Sequence, residues 1–189
     1  IKKQREYVLL NLDKEIDEEK IIYFYDLIKT RSKGKPIAYL LGKKEFWKYE
    51  FMISENVLIP RPDTELIVEQ VLKIVKYKSN LKVLDIGVGS GCILLSILKE
   101  KKSFFGTGID ICKKSINISR INSTKLCLEN RVKFFKSDID NFNYGKYDLV
   151  ISNPPYIKKL DLKYLERDVV GFEPINSLNG GIDGLSEIR

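Results

Sequence analysis

At 189 residues the chain can bury one sizeable core and a small appendage but not two full domains, and its 43% apolar and 31% charged content excludes general disorder. Histidine is absent, which removes Ser-His-Asp and Cys-His nucleophile systems, HExxH zinc sites and any imidazole base; Cys92, Cys112 and Cys127 are too scattered for a disulfide framework or a metal site. The net charge of +7 would suit an acidic partner, yet its lysines run evenly along the chain, so a solvated surface is expected rather than direct nucleic-acid binding.

In chain order, residues 1–10 carry a weak helical pattern, and residues 18–33 set Ile21, Phe24, Tyr25 and Ile28 on one helical face. Two such helices cannot close a core, so residues 1–41 are read as part of a helical N-terminal domain. Gly34 and Pro36 end the second helix. Residues 46–59 alternate loosely around Ser54-Glu55-Asn56, which predicts a β-hairpin within a linker over residues 42–62. Pro60-Arg61-Pro62 stops it, and Asp63 is placed as the N-cap of a helix with Ile67, Val71 and Ile74 on one face.

Residues 81–86, 104–109, 131–135 and 147–152 are short strand-like runs, mostly apolar throughout, as parallel strands covered on both faces are. Helical periods lie between them at 92–99 and 113–122. This is the pattern of an α/β doubly wound sheet, with residues 63–189 as one domain. Residues 184–189 also have a helical pattern, so the chain, which opens at Ile1, reads as cut at both ends. No apolar run approaches the ~20 residues of a membrane span and no signal-peptide pattern is present, so a cytoplasmic location is expected.

The first strand runs into Asp85-Ile86-Gly87-Val88-Gly89-Ser90-Gly91 and then an apolar helix. Alternate glycines allow a sharp turn with backbone close to a ligand. The spacing is GxGxG after an acid, with no base in the loop. Such a loop suits a ligand bearing an ammonium group better than a pyrophosphate, which favours S-adenosylmethionine over NAD. Asp85, Gly87, Val88, Gly89, Ser90 and Gly91 are therefore candidate cofactor contacts. The second strand ends at Asp110, placed to accept from ribose hydroxyls. After the third, Asp138 is placed for the adenine amino group and Ile139 for the adenine face. Cys92, Cys112 and Cys127 are read as small buried residues rather than reactive thiols.

The fourth strand ends in Asn153-Pro154-Pro155-Tyr156. Prolines stiffen the turn and lack amide donors that would claim nearby carbonyls. The Asn153 side-chain carbonyl and the Pro154 backbone carbonyl can then grip one NH2 group while Tyr156 stacks on a flat substrate. An amide nitrogen is a weak nucleophile, so this grip supplies orientation and charge stabilisation without a histidine base.

These residues resemble the class I S-adenosylmethionine-dependent methyltransferases that bear NPPY. Within them, Gly34 to Gly42, Glu45-Phe46-Trp47, Leu58 to Glu65, Phe172-Glu173-Pro174 and Gly180 to Leu185 resemble the release factor glutamine methyltransferases. The resemblance covers nearly the whole chain. It implies a Rossmann-like class I methyltransferase sheet, here truncated before its fifth strand, with a small helical N-terminal domain and a hairpin linker. It implies methylation of the side-chain amide of the glutamine in a release factor's Gly-Gly-Gln loop, by a protein expected to be a monomer. Gly87 to Gly91, Asp110, Ile139 and Asn153 would contact the cofactor; Asn153, Pro154, Pro155 and Tyr156 would be catalytic and, with Arg61, hold the substrate. Because NPPY is shared, the alternatives are an adenine-N6 methyltransferase on DNA or RNA, a glutamine methyltransferase on a ribosomal protein, and a non-catalytic binding module.

Overall fold

The computed structural model describes residues 5–189. It begins with three helices, α1 (Arg5–Leu9), α2 (Glu18–Ser32) and α3 (Ile37–Leu41). The first four residues of the expected 1–10 helix lie outside the described residues. The Ile21, Phe24, Tyr25 and Ile28 face of α2 is exposed, and no α2 side chain is buried. The end of α2 carries an ion pair, Arg31 with Asp168 at 3.8 Å. The short helix α3 is an addition to the sequence reading; Gly42 closes it in the left-handed conformation, φ 67°, where glycine is free of Cβ strain.

The hairpin is real but lies earlier than expected. Strands β1 (Lys43–Phe46) and β2 (Tyr49–Met52) pair antiparallel around the two-residue turn Trp47-Lys48, whereas Ser54-Glu55-Asn56 lies beyond the second strand. The turn hid from sequence reasoning because it carries no glycine or asparagine: Trp47 itself takes φ 58°, a rare value for a bulky residue. Phe46 and Phe51 face inward, meet edge-to-face at 6.2 Å, and join the same core cluster as Val83, Leu94 and Leu95. Burying each ring contributes on the order of 1.5–3 kcal/mol, so the hairpin is built into the α/β unit rather than tethered to it.

Asp63 is not a helix cap. Pro62–Thr64 forms a single 3-10 turn, and α4 (Glu65–Ile74) starts after Thr64 without a side-chain cap bond. The buried face of α4 is Val68 and Val71, continued by Val75, while Ile74 is 70% exposed. The expected face was rotated by one position at its end.

Strands β3 (Lys82–Ile86), β4 (Phe105–Asp110), β5 (Val132–Lys136) and β6 (Leu149–Ser152) form a parallel sheet in the order β5-β4-β3-β6, with α5 (Cys92–Glu100) and α6 (Lys113–Lys125) as crossovers. Successive strands step outward from β3 to β5, and the chain then returns to the other side of β3. That reversal is a topological switch point, the place where open α/β sheets bind ligands beyond their carboxyl ends. Residues Cys92 to Leu98 of α5 are all buried. Gly106 lets this helix lie close, because a Cβ there would sit 2.9 Å from both Leu94 Cδ1 and Leu98 Cδ1. Beyond β6 comes a short helix, α7 (Arg167–Phe172). The helical run expected over 184–189 is only a turn closed by the Leu185 carbonyl. Cys92 is buried as expected, but Cys112 is half-buried and Cys127 is exposed in the turn after α6, at φ 56°.

Candidate active site

The glycine turn after β3 is bound to the end of β4. Gly87 and Val88 both donate their N–H to the Ile109 carbonyl at 2.9 Å, and Gly89 donates to Asp110 Oδ2 at 3.0 Å. Gly87, Gly89 and Gly91 take φ of 74°, 55° and 82°, so the alternate glycines of the motif are conformational requirements. The other Asp110 oxygen accepts from the Cys112 N–H at 2.8 Å. Burial raises the pKa of Asp110 above the ordinary carboxylate value, with these two N–H groups pulling the other way. Each oxygen retains acceptor capacity for a ribose hydroxyl. Val88 and Ser90 are buried, with the Val88 N–H and carbonyl bonded to Ile109 and Gly91 and the Ser90 carbonyl bonded to Asn122.

Asp85 sits beneath this turn, 1% exposed, with neither carboxylate oxygen in a well-formed hydrogen bond. Burial, eased in part by the Leu94 N–H and reinforced by the nearby Asp110, pushes its pKa up to about 8. A cationic ligand group above it would relieve that cost, and an anionic one would add to it. The residues present therefore fit a sulfonium nucleoside carrying an ammonium group, and the turn offers no cation to a pyrophosphate.

A residue that motif reading missed holds the turn from behind. Asn122 of α6, fully buried, donates from Nδ2 to the Ser90 carbonyl at 2.8 Å and to the Met52 carbonyl at 2.9 Å, and accepts the Met52 N–H at 2.7 Å. Ser119 adds a bond to the Gly89 carbonyl at 2.9 Å. Hairpin and glycine turn thus share one buried amide. Only the spacing of polar residues along an otherwise buried face of α6 hints at it in the sequence.

At the end of β5, Ser137 donates its N–H to the Asp110 carbonyl at 3.1 Å, which brings the following residues toward the second acid. Asp138 spends its carboxylate on the N–H and Nδ2 of Asn141, closing a local turn. Ile139 is 47% exposed, with an apolar face open to solvent.

Across the switch point, Ser152 bonds the Ile86 carbonyl at 2.9 Å and ties the end of β6 to the end of β3. Asn153, Pro154, Pro155 and Tyr156 follow directly. Among the described residues, nothing hydrogen-bonds the Asn153 side chain or the Pro154 carbonyl, and Tyr156 is 65% exposed. These groups border a cavity of about 230 Å³ whose walls include Arg61, Thr64, Leu165 and Val169. Arg61 reaches it already paired: its Nη2 lies 2.5 Å from Glu173 Oε1, and Glu173 Oε2 accepts the Ile59 N–H at 3.2 Å. Glu173 is buried, so the pair anchors the Pro60-Arg61-Pro62 segment against α7 as well as lining the cavity. A larger opening of about 330 Å³ lies at the opposite, amino-terminal edge of the strands, beside Lys82, Phe105 and Val132, away from both motifs.

Residues 62–168 match the family model of the methyltransferase small domain, and residues 1–42 match that of the PrmC N-terminal domain. A release factor glutamine methyltransferase from Clostridium acetobutylicum is 41% identical over all of this chain and 67% of its own length. One from Caulobacter vibrioides is 38% identical over 93% of this chain and 61% of its own. The chain thus spans about two thirds of the length of the curated relatives it matches. Among solved structures, the hMettl16 catalytic domain in complex with a 3′UTR hairpin aligns at a TM-score of 0.57 and 17% identity, covering 73% of this chain and 53% of that one, a likeness of fold alone. With 41% identity over the whole of this chain and both family models in place, the chain belongs to the release factor glutamine methyltransferase family.

Proposed function

We propose that this chain transfers a methyl group from S-adenosylmethionine to the side-chain amide nitrogen of a glutamine in a peptide chain release factor, the glutamine of its Gly-Gly-Gln loop. The observation that carries the reading is the pair of unclaimed acceptors, Asn153 Oδ1 and the Pro154 carbonyl, at the switch point beside a glycine turn with an uncompensated acid beneath it. When bound, the cofactor supplies a methyl group already activated on a sulfonium sulfur. Gly87 to Gly91 shape its seat, Asp85 balances its ammonium charge, Asp110 accepts from its ribose, and Ile139 covers its adenine. The two acceptors take both hydrogens of the glutamine amide and fix the nitrogen lone pair in line, while Tyr156 packs on the amide plane. As the nitrogen bonds to the methyl carbon, the carbon–sulfur bond would break and leave a neutral thioether; the positive charge passed to the nitrogen is stabilised by both acceptors before one proton leaves to solvent.

The residue ranges 1–41, 42–62 and 63–189 are proposed as a helical substrate-recognition domain, a hairpin connection and the catalytic domain. The protein is proposed to act as a cytoplasmic monomer on a protein substrate; no described helix is long and apolar enough to cross a membrane. Incubation with labelled cofactor and purified release factor, followed by peptide mass spectrometry, tests the reading. Label on the loop glutamine is the expected result; label on nucleic acid, or none on the release factor, refutes it.

A further inference from the structure

The NPPY turn has a backing that the chemistry above does not account for. Residues 178–186 wrap the backbone of residues 155–159. Ile157 donates to the Leu178 carbonyl at 3.0 Å, Gly180 donates to the Ile157 carbonyl at 2.8 Å, and Lys159 donates to the Gly181 carbonyl at 2.8 Å. The Asn179 side chain accepts the Gly181 N–H at 3.0 Å and shapes the turn, and the Ser186 N–H donates to the Gly180 carbonyl at 3.0 Å. At the centre stands Gly180. A Cβ there would lie 2.8 Å from the Pro155 carbonyl oxygen, 2.8 Å from Tyr156 Cα and 2.8 Å from the Gly184 carbonyl oxygen. All three are backbone atoms, which cannot swing aside as a side-chain tip can. Gly184 presses on the same place, since its Cβ would meet the Tyr156 carbonyl oxygen, and its φ of 82° already requires glycine.

The geometry points to Gly180 as a positioning residue for the methyl acceptor: its missing side chain sets where Pro155 and Tyr156 lie, and so where the Pro154 carbonyl and the Tyr156 ring meet the glutamine amide. This rests on the reaction proposed above. Any larger residue forces the Pro155-Tyr156 backbone and the Gly184 carbonyl apart from it. In-line transfer tolerates little displacement, and a shift approaching about 1 Å can cost about 10²-fold in rate. The glycine turn and Asp110 are held by other bonds and do not feel it.

The test compares wild type, Gly180→Ala and Gly171→Ala in the full chain. Gly171 has nothing within 4 Å of its would-be Cβ and serves as the control. Turnover on release factor, cofactor affinity by calorimetry, and hydrogen exchange of the Ile157 and Lys159 amides are measured together. Gly180→Ala is expected to lower kcat about 10²-fold with unchanged cofactor affinity and binding stoichiometry, and to speed exchange at those two amides about 10-fold or more, while Gly171→Ala does neither. Parallel loss of cofactor binding would mean a general structural role and overturn the assignment, as would undiminished turnover. Should Gly180→Ala fail to fold, Asn179→Ala removes the bond that shapes the turn without adding atoms, and must show the same split between kcat and cofactor affinity. A wild type that labels no release factor refutes the proposed reaction instead, and the exchange data then decide alone whether Gly180 fixes the turn.

Discussion

Replacing Asp85 with asparagine isolates the electrostatic cost of the cofactor seat. In the folded chain the pKa of Asp85 is about 8, raised first by burial and then by Asp110, against an ordinary value of 3.8. A carboxyl whose folded pKa is raised costs nothing below its unfolded pKa. The cost then grows by about 1.4 kcal/mol per pH unit until the folded pKa is reached. The penalty is thus about 2 kcal/mol at pH 5 and about 4 kcal/mol at pH 7. A neutral amide in its place shares the burial without the titration. Urea unfolding of wild type and Asp85→Asn at pH 5, 6 and 7 is expected to show the variant gaining on wild type by roughly 2–3 kcal/mol across that window. Cofactor affinity should move the opposite way: wild type binds more tightly as pH rises toward 8 because the ligand's ammonium favours the ionised acid, and Asp85→Asn loses that pH dependence. Parallel stability profiles for the two proteins would show that Asp85 does not carry the cost, and the compensation argument for the cofactor's ammonium would go with it.

At the acceptor turn, Asn153→Ala should cut kcat by about 10²-fold or more, with a smaller loss in cofactor affinity by calorimetry, because one of two preorganised acceptors is removed; equal losses in both would contradict its role toward the substrate. Asp110→Ala should chiefly weaken cofactor binding, since it removes the proposed ribose acceptor together with the bond that holds Gly89. Asn122→Ala strips partners from the buried Ser90 carbonyl and from the part-buried Met52 N–H and carbonyl, and should lower stability by about 2–3 kcal/mol in chemical denaturation.

How far the sequence could be read depended on whether the physics was local. The strand-turn-helix at residues 82–100 is legible because every requirement sits within a few residues: an apolar strand, glycines where φ is positive, and a continuous apolar helix. The acid closing β4 and the proline turn closing β6 are legible for the same reason, and parallel register brings both strand ends beside β3 without further information. The hairpin lies outside the expected turn because Trp47 makes it in a left-handed backbone with no turn-forming residue, and the partners of Trp47 are distant: its N–H donates to Glu65 at 2.7 Å and its Nε1 to Glu100 at 3.0 Å. The face of α4 was rotated because the core it meets, not its own period, chooses between Ile74 and Val75.

The parts that stayed hidden are of one kind. Asn122 reaches Met52 across 70 positions, Glu173 reaches Arg61 across 112, and Gly180 meets Pro155 across 25. Each acts on a segment that carries or borders the site: Asn122 on the Ser90 carbonyl and the hairpin, Glu173 on the Arg61 side chain and the Ile59 N–H, and Gly180 on the Pro155-Tyr156 backbone. A motif records which atoms face the ligand, because those atoms must be adjacent on one turn. The residues behind it need only arrive from somewhere in the fold with the right shape, an amide, a carboxylate or no side chain at all, so local pattern cannot find them. Yet the proposed methyl transfer, which relies on orientation rather than on a base, depends on that backing as much as on the motif: if the Pro154 carbonyl moves, a chain without histidine has no imidazole to make up for the alignment proposed for it.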